Sequence, residues 1–165
     1  MSKKSYIKRI EKLRSKDSIF KILKILYKVL PLVMIVTYPI MIIIKALEGF
    51  SLKLCFLIFV PACTLILVTL LRKYINRERP YIKFDTQPLI AKKATGESFP
   101  SRHTASAFII AMSGFLFSPI IGILLLLIAI IIGLTRILAG VHFVTDVLAG
   151  MGISILIGFV FFILI

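Results

Sequence analysis

Acidic residues, histidine and cysteine are all scarce in this chain. Its 165 residues hold seven Asp and Glu against 21 Lys and Arg, with two histidines and two cysteines. Cys55 and Cys63 stand eight residues apart in one apolar stretch, about 12 Å along a helix and too far for a disulfide. They read as small core residues and say nothing about redox compartment. No close cluster of carboxylates or cysteines offers ligands to a metal, so neither a metal nor another cofactor is expected. Polar residues are few as well. The chain is 59% hydrophobic, with a mean hydropathy of +1.05, against about 45–50% apolar in soluble domains. Water is not its main solvent.

Apolar runs make up the balance. Leu30–Ile44, Leu54–Leu71, Pro119–Thr135 and Val144–Ile165 are long enough, or nearly so, to cross a hydrocarbon core that needs about 20 residues per helix. A fifth run, Thr104–Phe117, reaches only about 21 Å at about 1.5 Å per residue, so its helix should start a turn earlier, near Ser101. The expected fold is all-α: one integral-membrane helical bundle of about five transmembrane helices. Residues 5–30 set Tyr6, Ile10, Leu13, Phe20, Leu23, Tyr27 and Leu30 at three- and four-residue steps among lysines and arginines, the pattern of a basic amphipathic interfacial helix. Residues 1–30 are therefore expected as that helix and residues 31–165 as a single transmembrane domain. The segment serves either as a topology anchor or in lipid recognition. No small-residue cleavage site precedes the first span, which is expected to stay in the mature protein.

Positive charge is concentrated. Ten Lys and Arg lie within residues 1–28 and eight more within 72–102. In so apolar a chain the partners are the lipid bilayer and anionic headgroups or phosphate, not nucleic acid. The second cluster lies in a long polar connection, "RKYINRERPYIKFDTQPLIAKKATGESFPSRH", and connections of this length in compact proteins are usually functional or disordered.

Charge then nearly vanishes. From Ser118 to Ile165 only Arg136 and Asp146 are charged, and the only histidine is His142. All three fall in "TRILAGVHFVTD", residues 135–146. His142 and Asp146 are four apart on one helix face, where the carboxylate can accept from one ring nitrogen and leave the other free as base or nucleophile. Gly140 supplies a turn that can bring the Arg136 guanidinium back beside His142. The ordinary alternative is interhelical glue, although ionisable groups inside a membrane are functional by default because burying them is costly.

Two further polar islands match this one. "FPSRHTAS" opens an apolar helix at Pro100 and Ser101, so the N–H groups of Ser101, Arg102 and His103 face outward from a positive helix terminus and suit an anion. An ordinary serine N-cap is the plainer reading. "RKYINRERP" supplies Arg72 and Arg79, whose forked donors suit phosphate oxygens, although a basic run after a span is commonly a topology signal. Together the islands hold cations, a helix N-terminus, two imidazoles and one carboxylate. The reaction they match best is metal-free phosphoryl transfer.

At these residues the sequence resembles the type 2 phosphatidic acid phosphatase family, which shares its active site with vanadium haloperoxidases. The family motifs Lys-x6-Arg-Pro, Pro-Ser-x-His and Ser-Arg-x5-His-x3-Asp correspond to Arg72, Arg79 and Pro80; to Pro100, Ser101 and His103; and to Thr135, Arg136, His142 and Asp146. Arg72 replaces the usual lysine, keeping charge but changing reach and fork geometry. Thr135 replaces serine and keeps the hydroxyl. The resemblance implies that His142 is a nucleophile forming a phosphohistidine, that Asp146 orients it, and that His103 is the general acid. It also implies that Arg72, Arg79, Ser101, Arg102 and Arg136 hold the phosphoryl oxygens.

The implied activity is hydrolysis of a membrane lipid phosphate or diphosphate, of the undecaprenyl diphosphate, phosphatidylglycerophosphate or phosphatidic acid type, by a multi-pass protein of the cell membrane. A catalytically silent lipid-phosphate-binding scaffold is the alternative, but it would have no use for both histidines and Asp146. Five spans put the N-terminal helix, the 72–103 connection and the 136–146 turn on one membrane face. The positive-inside rule places that face in the cytoplasm, whereas the resemblance turns it outward.

Overall fold

A computed structural model describes residues 2–92 and 94–164. Among the described residues seven α-helices follow one another: α1 (Lys3–Arg14), α2 (Asp17–Leu47), α3 (Leu52–Ile75), α4 (Pro80–Lys83), α5 (Arg102–Ser113), α6 (Pro119–Leu138) and α7 (Val144–Phe159). A 3₁₀ turn, Gly114–Leu116, extends α5, and a π turn, Val160–Leu164, extends α7. The described residues are otherwise turns and irregular chain.

Serine caps set the helix starts. The hydroxyls of Ser2, Ser51 and Ser118 accept from the N–H groups of Ser5, Leu54 and Ile121, each satisfying one donor that the first turn would otherwise leave free. Asn76 ends α3 in the left-handed region at φ 41°. Pro31 and Pro39 lie inside α2 without ending it, as membrane helices tolerate when neighbours satisfy the freed backbone groups.

The structure corrects the reading of residues 5–30 as one helix. The chain breaks at Ser15 and Lys16, and α2 then runs unbroken through Leu30 to Leu47. The reason is local: the Ser15 N–H returns to Glu11 and its hydroxyl to Lys12, while Asp17 opens the next helix with its acid in the first turn, where the helix dipole favours it.

Four helical segments, Asp17–Leu47, Leu52–Lys83, Pro119–Leu138 and Val144–Ile163, are long and apolar enough to cross a membrane. Large apolar side chains such as Ile22, Ile35, Phe59, Leu124 and Leu156 face outward, as lipid contact requires and water would not permit. The chain is a multi-pass membrane protein. α5 is shorter but stands at the centre, with nine of its twelve residues buried against α3, α6 and α7. It runs from the end of the bundle that holds Arg72 to the end that holds Lys45, whose ammonium lies 4.8 Å from the Phe117 ring.

Small residues let α7 come close to α5. A Cβ on Gly150 would stand 2.7 Å from the Ser101 carbonyl oxygen, and one on Gly158 would stand 2.4 Å from the Met112 Cβ. Ser154 donates to the Ala105 carbonyl at 2.8 Å across the same contact, the close approach expected of small-residue helix packing in lipid. Gly152, by contrast, faces open space. Gly150→Ala is therefore expected to lower thermal stability in detergent by about 1–3 kcal/mol, the usual cost of overpacking a core. Gly152→Ala should leave it unchanged; equal melting temperatures for the two variants would contradict this packing.

Candidate active site

Four helix ends converge at one end of the bundle: the end of α3, the starts of α5 and α7, and the end of α6. Between them lies a cavity of about 390 Å³ lined by Arg72, Arg79, Lys92, Glu97, Arg102, His103 and His142 among others. Polar walls and a single carboxylate against several cations make it an anion site.

Arg72, in the last turn of α3, is buried and donates to the Pro100 carbonyl at 3.1 Å. Its second terminal nitrogen lies 3.8 Å from a Glu97 carboxylate oxygen, and its Nε has no partner among the described residues. Arg79, directly before α4, is also buried and is held by the carbonyls of Gly96 at 3.0 Å and Val141 at 3.3 Å. Lys92 is partly buried, and burial followed by Arg79, Arg136, Arg72 and Arg102 pulls its pKa down to about 8.

His142 is 1% exposed and stands in the turn between α6 and α7, not on the helix face expected to carry it with Asp146, because α7 starts only at Val144, beyond its N-cap Phe143. Burial lowers its pKa to about 4, against the opposing pull of Asp146, with Arg79 and Arg72 adding to the fall. The imidazole is thus held neutral, the form that can attack an electrophile. Its Nδ1 is 3.5 Å from Asp146 Oδ2, too long for a good direct hydrogen bond. Ser98 fills the gap. The Ser98 hydroxyl donates to Asp146 Oδ2 at 2.6 Å and lies 3.3 Å from His142 Nδ1, so Nδ1–H can donate to Ser98 and Nε2 keeps its lone pair on the cavity side.

Asp146 is fully buried and accepts two further bonds, from the Phe143 N–H at 2.9 Å and from Arg77 at 2.8 Å. The Arg77 guanidinium also stacks 4.4 Å from the Phe143 ring centre. Sequence spacing marks neither Ser98 nor Arg77: Arg77 lies inside a basic run that as a whole suits phosphate, and Ser98 precedes a motif that carries its own serine.

The structure gathers Arg72, Arg79, Arg102, His103 and His142 around the cavity, with Asp146 behind His142, and sets two expected residues back from it. Ser101 is fully buried, and its hydroxyl accepts from Thr104 at 2.9 Å. Its N–H, expected to be free, donates to the Asp146 carbonyl at 2.8 Å, because α7 packs directly against the start of α5. Among the described residues no acceptor outside α5 takes the N–H groups of Arg102 and His103, which leaves them to meet an anion. Arg136 is turned from His142 towards α2, donating to the Tyr27 carbonyl at 3.0 Å with its guanidinium carbon 3.7 Å from the Tyr27 ring centre. Among the described residues no three His, Cys, Asp or Glu side chains stand close enough to hold a metal.

A second, apolar groove of about 600 Å³ runs between α2, α3 and α5, past Met34, Ile35, Pro61 and Leu65. It shares Arg102 and His103 with the polar cavity.

The profile of the PAP2 superfamily matches residues 52–165. The chain belongs to the PAP2 superfamily. Among PAP2 relatives it is 36% identical over 84 residues to undecaprenyl-diphosphatase BcrC of Bacillus subtilis, covering 51% of this chain and 43% of that one. It is 30% identical over 141 residues to phosphatidylglycerophosphatase B of the same organism, covering 79% and 64%. It thus spans less than two thirds of either relative. The crystal structure of Aquifex aeolicus LpxE superposes with a TM-score of 0.67 at 32% identity, covering 84% of each chain. All three motif segments lie inside the matched PAP2 region, whereas α1 and α2 precede it.

Ser98 carries the clearest consequence of this geometry. Ser98→Ala removes the hydroxyl between His142 and Asp146 and is expected to lower kcat about ten- to a hundredfold, or ~1.4–2.7 kcal/mol, in phosphate-release assays on lipid phosphates. KM should change little, because Ser98 does not line the cavity. Wild-type turnover by the variant would remove Ser98 from the arrangement.

Proposed function

We propose that this protein is a metal-independent phosphatase of the cell membrane that hydrolyses a lipid phosphate or diphosphate through a phosphohistidine. The observation that carries the reading is the sharing of Arg102 and His103 between a cationic cavity and an apolar groove: one molecule with an anionic head and a hydrocarbon tail fits both. A scaffold that only bound such a lipid would gain nothing from a neutral histidine backed by Ser98 and Asp146.

In this reading the phosphoryl group lies among Arg72, Arg79 and Arg102 and the free N–H groups that open α5. His142 Nε2 attacks phosphorus in line, the bond to the leaving oxygen breaks, and His103 supplies that oxygen with a proton. The negative phosphoryl group offsets the surrounding cations, so that His103 can hold its proton there. Water then attacks the phosphohistidine, giving its proton to His103 and freeing His142 as phosphate leaves. Asp146, through Ser98, stabilises the positive charge that develops on the His142 ring. Ser101 fixes the start of α5, and Arg136 adds its charge from behind the cavity.

The substrate class is a lipid of the undecaprenyl diphosphate, phosphatidylglycerophosphate or phosphatidic acid type. The names of the two Bacillus relatives fall within that range. Residues 1–30 act as the interfacial segment and 31–165 as one transmembrane phosphatase domain, with α2 passing from the first into the second. α5 makes the fifth crossing, its short length sheltered by α3, α6 and α7. The active site then shares a face with the N-terminus, and that face is the outer one.

Purified protein in detergent should release phosphate from at least one such lipid at equal rates with and without EDTA, and His142→Ala should abolish release. Orthovanadate should inhibit at micromolar concentration or below, since mimics of a pentacoordinate transition state bind far more tightly than substrates. Undiminished activity in His142→Ala would refute the nucleophile.

Sidedness has its own test, in a background lacking Cys55 and Cys63. Cysteines introduced at Ser5 and Thr95 are expected to react together with a membrane-impermeant reagent added outside intact cells, and one at Ser118 to be protected. Shared reactivity of Thr95→Cys and Ser118→Cys would eliminate the α5 crossing.

A further inference from the structure

The turn that carries His142 is held by a part of the chain outside the matched PAP2 region. α6 ends at Leu138, and neither the carbonyls of its last turn nor those of the turn that follows have partners within the helix. Buried at the end of a membrane bundle, they must find donors elsewhere. Two of the donors come from α1. Tyr6, fully buried, donates its hydroxyl to the Gly140 carbonyl at 2.9 Å, and Arg9 donates at 3.1 Å to the Ile137 carbonyl, which also accepts the Gly140 N–H. Leu89 N–H takes the Ala139 carbonyl at 3.0 Å, and Arg79 takes that of Val141.

Gly140 adopts φ +75°, and a Cβ there would lie 2.5 Å from the Tyr6 hydroxyl. α1 and the turn are therefore in direct contact across 134 residues of sequence. The contact continues through rings. Tyr6 packs on Phe84 at 5.3 Å between ring centres, and Phe84 on Phe143 at 6.1 Å. The Phe143 N–H holds the Asp146 carboxylate. One face of α1 thus reaches the residues on both sides of His142.

We propose that α1 is a brace for the nucleophile turn and that Tyr6 is a positioning residue, acting on His142 through the Gly140 carbonyl. The proposal rests on the phosphatase reading for its effect on rate, but not for its effect on the turn. Its geometry explains why an amphipathic helix should keep a tyrosine fully buried at its start, where a topology anchor needs only charge.

The test compares full-length wild type, Tyr6→Phe, Arg9→Gln and, as a control, Lys4→Gln, whose residue is exposed. Tyr6→Phe keeps the ring and loses one hydrogen bond. It is expected to lower kcat about tenfold while KM stays within about twofold, and to speed amide hydrogen exchange in residues 138–146 without speeding it in α3 or α5. Arg9→Gln should show the same pattern more weakly, and Lys4→Gln neither effect. Unchanged exchange and kcat in Tyr6→Phe would overturn the proposal. So would faster exchange throughout the bundle, which marks a general loss of stability. Should wild type release no phosphate from any lipid, the phosphatase reading fails, and local exchange in the turn still decides for or against the brace.

Discussion

A carboxylate buried in a membrane bundle has to be surrounded by donors, and the geometry of this site follows from how Asp146 meets that requirement. Left unpaired, such a charge would cost several kcal/mol. Asp146 takes a hydroxyl from Ser98, an N–H from Phe143 and a guanidinium from Arg77, and its backbone carbonyl takes the N–H of Ser101. The donors come from three pieces of the chain: Arg77 from the link after α3, Ser98 and Ser101 from the approach to α5, and Phe143 from the start of α7. Satisfying one carboxylate brings all three motif segments together, and His142 is held at their meeting point.

The cations around the cavity pose the opposite problem. Arg72 and Arg79 are buried with only Glu97 as a nearby carboxylate in the cavity wall, so backbone carbonyls of Pro100, Gly96 and Val141 do most of the holding. Carbonyl dipoles fix the guanidinium groups without neutralising them. The positive potential stays available to an incoming anion, and it adds to the burial that keeps His142 neutral. Retained charge and a retained lone pair are thus two results of one arrangement, in which the counter-charge is left for the ligand to supply.

Position along the bundle matters as much as charge. The polar end is built where four helices start or stop, which lets α5 be short, since its flanks are covered by protein rather than lipid. Glycines on α7 allow its close approach to α5, and that approach captures the Ser101 N–H. The apolar groove then opens beside the first turn of α5, so hydrocarbon side chains lie next to the cationic cavity that His142 lines.

Much of this was legible in the residues. Apolar runs marked the helices because lipid imposes a length and a polarity that composition records directly. The rarity of charge after Ser118 isolated Arg136, His142 and Asp146, although His142 precedes α7 rather than sharing a helix face with Asp146. What the sequence by itself determined, then, was the all-helical membrane class, the three motif segments and the identity of the two histidines. The tertiary structure alone decided that Ser98 stands between His142 and Asp146, that Arg136 turns to Tyr27, that the Ser101 N–H is taken, and that Tyr6 reaches Gly140. Helical periodicity constrains neighbours three and four residues away. These contacts join residues 44 to 134 positions apart, and only the packing of whole helices brings such partners within a hydrogen bond of each other.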